Sequence, residues 1–157
     1  GDNFSASSEL QNMVNEWYKS GTECIFSCGG EMCDSVFEAA LANNGKSIGV
    51  DVDQSSVSDT VITSAMKGLS SGVQKILTSF YAGKWVLVGG LSSNLGVDDN
   101  AVGLPFATSK FEKFTESEYV KLVNSMKSGG TLEVKNDFSA FLEGGETFEN
   151  VAVSFVK

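Results

Sequence analysis

Two aspartates and a lysine are the residues of this sequence whose types and spacing best suit the binding of a small polar molecule. Asp51 and Asp53 follow the short apolar run 47–50, and Lys67 directly follows the apolar run 61–66. A carboxylate accepts two hydroxyl hydrogen bonds at once, which suits the cis-diol of a sugar, and an ammonium offers three donors. The structural alternatives are turn formation or helix capping for the aspartates and a surface position for the lysine.

A glycine pair and an aromatic residue stand in a comparable position earlier in the chain. Gly29 and Gly30 follow the largely apolar run 23–27, and glycine lets the backbone approach a ligand closely. Phe26, near the end of that run, could stack on a planar base. A simple turn and a core phenylalanine are the structural alternatives here, so the more specific signal is the shared position of all these residues after apolar runs.

Alternating helix and strand patterns must position these residues. The runs 23–27, 47–50 and 61–66 are short and largely apolar, as buried strands are. Helical spacing of apolar residues predicts one helix that ends at Gly21 and a second that ends at 43–45. The residues that carry this spacing are Leu10, Met13, Val14, Trp17 and Tyr18 in the first helix, and Val36, Phe37, Ala40 and Leu41 in the second.

This alternation predicts an α/β fold: a three-layer arrangement with a mostly parallel sheet and helices on both faces. Right-handed crossovers place the carboxyl ends of parallel strands on one rim, and open α/β sheets bind their ligands there. We therefore expect Asp51 and Lys67 to stand side by side at that rim, next to the loop that contains Gly29 and Gly30.

The second half of the chain carries further elements. Apolar residues at helical spacing predict a helix over 69–81, and the Gly-rich stretch 84–100 reads as loop. The segment 101–107 reads as a strand interrupted by the only proline, Pro105. Thr115 and Glu118 form a capping-box pattern that predicts a helix to about residue 126. Short edge strands are expected at 132–134 and 151–156.

Composition and charge exclude several classes of function. A chain of 157 residues with 41% hydrophobic content can bury a real core, and it contains no apolar run long enough to cross a bilayer. The net charge of −9 argues against a nucleic-acid partner. Histidine is absent, which removes the commonest general base and the commonest metal ligand. We therefore expect neither an enzyme nor a cofactor.

The three cysteines do not suggest a site. Cys24, Cys28 and Cys33 lack the spacing of a zinc or redox motif, and no histidine is present to activate a thiol. Small buried side chains are their expected role, ahead of one disulfide with a third, free thiol.

Four motifs at their mutual spacing carry a family resemblance. They are 25–30 (IFSCGG), 36–40 (VFEAA), 48–54 (IGVDVDQ) and 62–67 (ITSAMK), with weaker continuation through 95–104. Together they resemble the basic membrane protein family, bacterial substrate-binding lipoproteins of ABC transporters whose best-understood members bind purine nucleosides. The resemblance weakens after about residue 135. It also departs at 31–34, where this chain reads EMCD and the family usually has a further glycine, which affects the expected pocket shape.

The resemblance implies one lobe of a type 1 periplasmic-binding-protein fold, in which two lobes close on a nucleoside. It implies that Asp51 and Lys67 hold the ribose hydroxyls, that Gly29 and Gly30 wall the pocket, and that Phe26 is a candidate for stacking on the base. The partners implied are a small-molecule nucleoside and the permease of an ABC transporter, in an extracytoplasmic, lipid-anchored protein.

A whole family member carries an N-terminal lobe ahead of the segment that opens here, so the resemblance implies a C-terminal fragment. Residues 1–67 would form the βαβ core of the C-terminal lobe, and 68–100 a helix and loop that cross to the absent lobe. Residues 101–157 would return as strands and a helix. The helix at 69–82 would then need another partner for its apolar stripe, so a dimer of the fragment is one expectation.

Three rival functions stay open at this point. One is a sugar-binding or autoinducer-binding protein of the same fold, which would lack an aromatic stack for a base. Another is a regulatory module that uses the fold to sense a metabolite. The third, an α/β enzyme acting through Asp51 and Lys67, is the least supported, because no histidine, metal cluster or nucleophile motif accompanies them.

Overall fold

A four-stranded sheet with the order β1-β2-β3-β4 organises the chain, whose computed structural model describes residues 4–129. The first three strands are parallel, and β4 pairs antiparallel with β3. The sequence prediction of an α/β fold with a mostly parallel sheet is confirmed. The elements in chain order are α1 (Ser8–Lys19), β1 (Cys24–Phe26), α2 (Cys33–Asn43), β2 (Lys46–Asp51), β3 (Val61–Lys67), α3 (Leu69–Tyr81), β4 (Val102–Gly103) and α4 (Glu116–Lys127).

Short-range capping accounts for the ends of the helices. The Ser7 hydroxyl accepts a hydrogen bond from Leu10 N at 3.1 Å and begins α1. At the start of α4, Thr115 and Glu118 form the predicted capping box. Asn44 ends α2 in the left-handed conformation, with φ of 53°, which asparagine tolerates better than most residues.

The core lies where α1 packs on α2 and α2 packs on the sheet. Ala39 and Ala40 are fully buried beside Val14, and their small side chains let the two helices approach closely. A second buried cluster joins Phe37 of α2 to Val61 at the start of β3. This packing sets the height of the strands relative to the helices and so the position of the rim that follows them.

The strand predicted over 101–107 is much shorter than expected. Only Val102–Gly103 pairs with β3, and Pro105 then begins a turn in which Thr108 N donates to the Pro105 carbonyl at 3.1 Å. Proline has no N–H for a sheet ladder and fixes its own φ, so it ends the strand rather than interrupting it. The strands expected at 132–134 and 151–156 lie outside the described residues.

Helix α3 has the predicted bounds but leaves its apolar side chains in solvent. Leu69, Val73 and Phe80 are each more than half exposed, and Leu77 is close to half exposed. Among residues 4–129, none of the helices is long and apolar enough to span a membrane.

Candidate functional site

The carboxyl ends of β2 and β3 bring Asp51 and Lys67 together. The parallel register sets Asp51 opposite Met66, so the next residue of β3 emerges beside the aspartate. The Lys67 Nζ lies 2.5 Å from Asp51 Oδ1, in an ion pair. The arrangement that the sequence predicted at this rim is therefore present in the structure.

The backbone at Asp51 is strained. Its φ is +69°, and Val52 N donates to the Val50 carbonyl at 2.8 Å, so Asp51 is the central residue of a γ-turn. A residue with a side chain rarely adopts this conformation outside sites where the surrounding structure imposes it, and it costs on the order of 1–3 kcal/mol. The turn ends β2 at Asp51, whose carboxylate pairs with Lys67.

The ion pair is open to solvent on one side. The side chains of Lys67 and Asp51 are 61% and 41% exposed, whereas the Oδ1 atom of Asp51 is itself shielded and faces the ammonium. The hydrogen bond and the charge of Asp51 raise the pKa of Lys67. Lys67 is therefore cationic at neutral pH, and the pair offers both donors and an acceptor to a ligand that approaches the rim.

The glycine pair wraps around an aromatic residue that the sequence analysis did not name. Gly30 has φ of +56°, and a Cβ placed there would lie 3.3 Å from the Cβ of Phe4. A Cβ at Gly29 would overlap the Met32 sulfur and lie 3.5 Å from the Phe4 ring. Phe4 is 71% exposed, so its ring is a free flat surface next to the glycine loop. No periodicity or spacing in the sequence pointed to it, because it precedes the first helix.

Phe26 reaches the rim but not the core. It is the last residue of β1 and is 48% exposed. The prediction that Phe26 is a core residue is therefore wrong. Its neighbour Ile25 packs on the α1–α2 cluster, and side chains alternate along a strand, so Phe26 points to the opposite face. Phe26 therefore remains a candidate for stacking on a base, and Phe4 is a second one.

Asp53 is occupied by internal hydrogen bonds. Its Oδ1 accepts from Ser55 N at 3.0 Å and its Oδ2 accepts from the Thr108 hydroxyl at 2.7 Å. These bonds, with Thr108 the larger influence, lower the pKa of Asp53. The carboxylate thus forms a turn and ties it to the loop after β4, which favours the structural alternative for this residue over a contact with ligand.

The three cysteines are free thiols in three different environments. Cys33 is buried, where burial raises the pKa of its thiol, and Cys24 is half-buried with its pKa raised by the same cause. Cys28 is exposed in the loop before Gly29, so the expectation of three buried side chains is wrong for this one. Cys28 lies between β1 and α2, outside the helix packing that covers Cys33.

Fold and rim together give an α/β sheet whose carboxyl edge carries the Asp51–Lys67 ion pair and the exposed ring of Phe26. The chain belongs to the Bmp family, PnrA-like ABC transporter substrate-binding proteins, whose sequence profile matches residues 2–135. The family resemblance read from the four motifs is thereby confirmed. No protein of curated function matches the chain significantly.

Two solved structures share the fold at 20% sequence identity. One is a transcriptional activator of the comK gene from Bacillus halodurans, with a TM-score of 0.59 over 82% of this chain and 43% of that one. The other is an ABC transporter solute-binding protein from Aeropyrum pernix K1, with a TM-score of 0.54 over 90% of this chain and 42% of that one. The chain therefore spans less than half the length of each of these two structures.

Proposed function

We propose that this chain is the C-terminal lobe of the solute-binding component of an ABC importer, and that its ligand is a purine nucleoside. The observation that carries the proposal is the ion pair of Asp51 and Lys67 at the carboxyl rim of the sheet, where strained backbone holds the carboxylate. Adjacent ribose hydroxyls can donate to the carboxylate and accept from the ammonium at the same time. Binding then needs no covalent step.

The base has an aromatic surface available within the same rim. The exposed ring of Phe4 lies against the Gly29–Gly30 backbone, and exposed Phe26 ends the strand just before that loop. Stacking on one such ring contributes about 1–3 kcal/mol per base. A sugar or autoinducer without a planar ring would leave these aromatics unused, and this favours a nucleoside over those ligands.

A second lobe from polypeptide that precedes this segment would supply the opposite wall of the site. The apolar side of α3 and the loop after it would face that lobe, consistent with a crossing of residues 68–100 out of this one. Closure of two lobes over a ligand is the usual signal from such proteins to a permease. The protein would act on the extracytoplasmic side, held at the membrane by a lipid anchor outside this sequence.

The test is calorimetry on the full-length protein with inosine, guanosine and free ribose. We expect a nucleoside to bind and to outcompete ribose, and Asp51→Ala to weaken binding about tenfold or more, as expected for loss of a charged hydrogen bond. Asp59→Ala, at an exposed aspartate in the loop before β3, is the matched control and should leave affinity unchanged. An unchanged affinity in Asp51→Ala would remove Asp51 from the site, and preference for ribose would identify a sugar-binding protein.

A regulatory, metabolite-sensing module is a second candidate, supported by the fold shared with the transcriptional activator from Bacillus halodurans. Cell fractionation distinguishes the two functions. A membrane-anchored, extracytoplasmic full-length protein supports transport, and a cytoplasmic one supports regulation.

A further inference from the structure

A glutamine behind the rim links the strained turn to two other elements through hydrogen bonds. Gln54 Oε1 accepts from Val50 N at 2.8 Å, and its Nε2 donates to the Cys33 sulfur at 3.3 Å. Its own backbone N donates to the Ser64 hydroxyl at 3.0 Å. One residue thus connects the end of β2 to the start of α2 and to the middle of β3.

The neighbouring strand leaves space for this side chain. A Cβ on Gly49 would lie 2.7 Å from Gln54 Oε1 and 2.6 Å from the Ser64 hydroxyl, closer than real Cβ atoms approach. Only glycine at position 49 therefore lets the glutamine amide reach the backbone of β2. The absence of a side chain at position 49 leaves room for the Gln54 amide next to Val50 N.

The two backbone groups of Val50 are both used at the turn. Its carbonyl accepts the γ-turn hydrogen bond from Val52 N, and its N–H donates to the Gln54 side chain. A strained conformation persists only where its surroundings hold it. Hydrogen bonds engage both the N–H and the carbonyl of Val50, the residue before Asp51. Loss of the glutamine contact would free the Val50 N–H and let the chain around Asp51 relax toward an ordinary extended strand end.

We propose that Gln54 is a positioning residue that holds the γ-turn at Asp51, and so aims the carboxylate of the ligand site without touching ligand. The inference about aim rests on the proposed function, because it assumes that Asp51 contacts the ligand. The claim that Gln54 holds the γ-turn does not depend on that assumption.

The test begins with NMR on the 157-residue chain. We expect Gln54→Leu, which removes the acceptor for Val50 N, to abolish the couplings that report a positive φ at Asp51 and to speed exchange of the Val52 amide at least tenfold. Gln54→Glu keeps an acceptor oxygen and should retain the positive φ. Should Gln54→Leu fail to fold, Gln54→Asn takes its place, because its shorter side chain cannot reach Val50 N.

Two controls separate this role from general destabilisation. Gln74→Leu alters an exposed glutamine of α3, and Tyr18→Phe removes a hydrogen bond far from the rim. Both should keep the Asp51 couplings and the slow Val52 exchange. The proposal is overturned if Gln54→Leu, or Gln54→Asn in its place, keeps the Asp51 couplings and the slow Val52 exchange too.

Nucleoside affinity in the full-length protein decides whether the turn matters for binding. We expect Gln54→Asn to weaken binding at least tenfold, with the Gln74 control unchanged. An altered Asp51 turn with undiminished affinity would overturn the positioning role. If the unmodified protein binds no nucleoside, the proposed function fails, and the NMR measurement still decides what holds the turn.

Discussion

At the scale of the residue, Asp51 shows how a binding group can be held against its own conformational preference. Its left-handed φ is unfavourable for any residue with a Cβ, although aspartate tolerates it better than most. The ion pair with Lys67 contributes little to stability, since the side chains of Lys67 and Asp51 are 61% and 41% exposed. The aspartate is therefore better explained by what the carboxylate does at the rim than by what it adds to the fold.

This explanation predicts different stabilities for two substitutions at position 51. Both Asp51→Gly and Asp51→Ala remove the carboxylate, but only glycine relieves the strain of a positive φ, so the glycine variant should be the more stable by about 1 kcal/mol. Urea unfolding measures the difference. Asn44→Gly and Asn44→Ala serve as the control, because Asn44 also has a positive φ, and their stabilities should differ in the same direction. Equal stability of the two variants at position 51 would mean that the turn relaxes without its side chain.

At the scale of the element, one tyrosine joins α1 to the beginning of β2. The Tyr18 hydroxyl donates to the Lys46 carbonyl at 2.7 Å, and its ring packs so close to Gly45 that a Cβ there would overlap it. The ring also belongs to the core cluster between α1 and α2. The tyrosine thus fixes the beginning of β2 against α1.

Replacing this tyrosine tests the contact. Tyr18→Phe keeps the ring and leaves the Lys46 carbonyl without its partner, so we expect unfolding free energy to fall by about 1 kcal/mol. Chemical denaturation at neutral pH measures the loss. Tyr119→Phe, which removes the hydroxyl that accepts from Leu104 N, is a comparison in the second half of the chain. No loss of stability in Tyr18→Phe would mean that solvent replaces the bond.

The same tyrosine predicts a pH dependence of stability. Burial raises the pKa of Tyr18 from 10.0 to about 12. Since the folded state holds the proton more tightly than the unfolded state, the stabilisation is complete below pH 10.0 and is lost as pH rises towards about 12. Unfolding measured over this range should show a steeper alkaline loss in the unmodified chain than in Tyr18→Phe. Parallel curves would contradict the assignment to Tyr18.

At the scale of the whole molecule, the most unusual surface is the apolar side of α3 and the turn that follows it. Half-exposed Leu77 and Phe80 continue into Trp85, Val86 and Leu87, which are 50–82% exposed. A contiguous apolar surface of this kind marks an interaction site in a soluble protein. The proposed second lobe would cover it in the full-length protein.

The isolated 157-residue chain should therefore associate with itself. We expect sedimentation velocity to show dimers or larger species that dissociate on dilution, because the exposed apolar side chains are buried by association. Leu77→Glu should shift the chain towards monomer. Val120→Glu, at a comparably exposed position on α4, is the matched control and should not. A monomer at every concentration would indicate that this surface tolerates water.

Much of the architecture was predictable because its causes are local. The bounds of α3, the Ser7 cap of α1 and the Thr115–Glu118 capping box all follow from residues within a few positions of one another. The meeting of Asp51 and Lys67 was predictable for a related reason. Parallel strands joined by crossovers place their carboxyl ends on one rim, so two residues that end adjacent strands must be neighbours.

Tertiary structure alone decided the details that distinguish one polar residue from another. Asp53 resembles Asp51 in sequence, but a hydroxyl 55 residues away, on Thr108, occupies its carboxylate. Phe4 precedes α1 and the glycine loop precedes α2, so the packing of α1 on α2 brings the ring of Phe4 to the glycine loop. Such contacts depend on where distant segments pass in space, and the periodicity of a sequence records only which face of an element is buried.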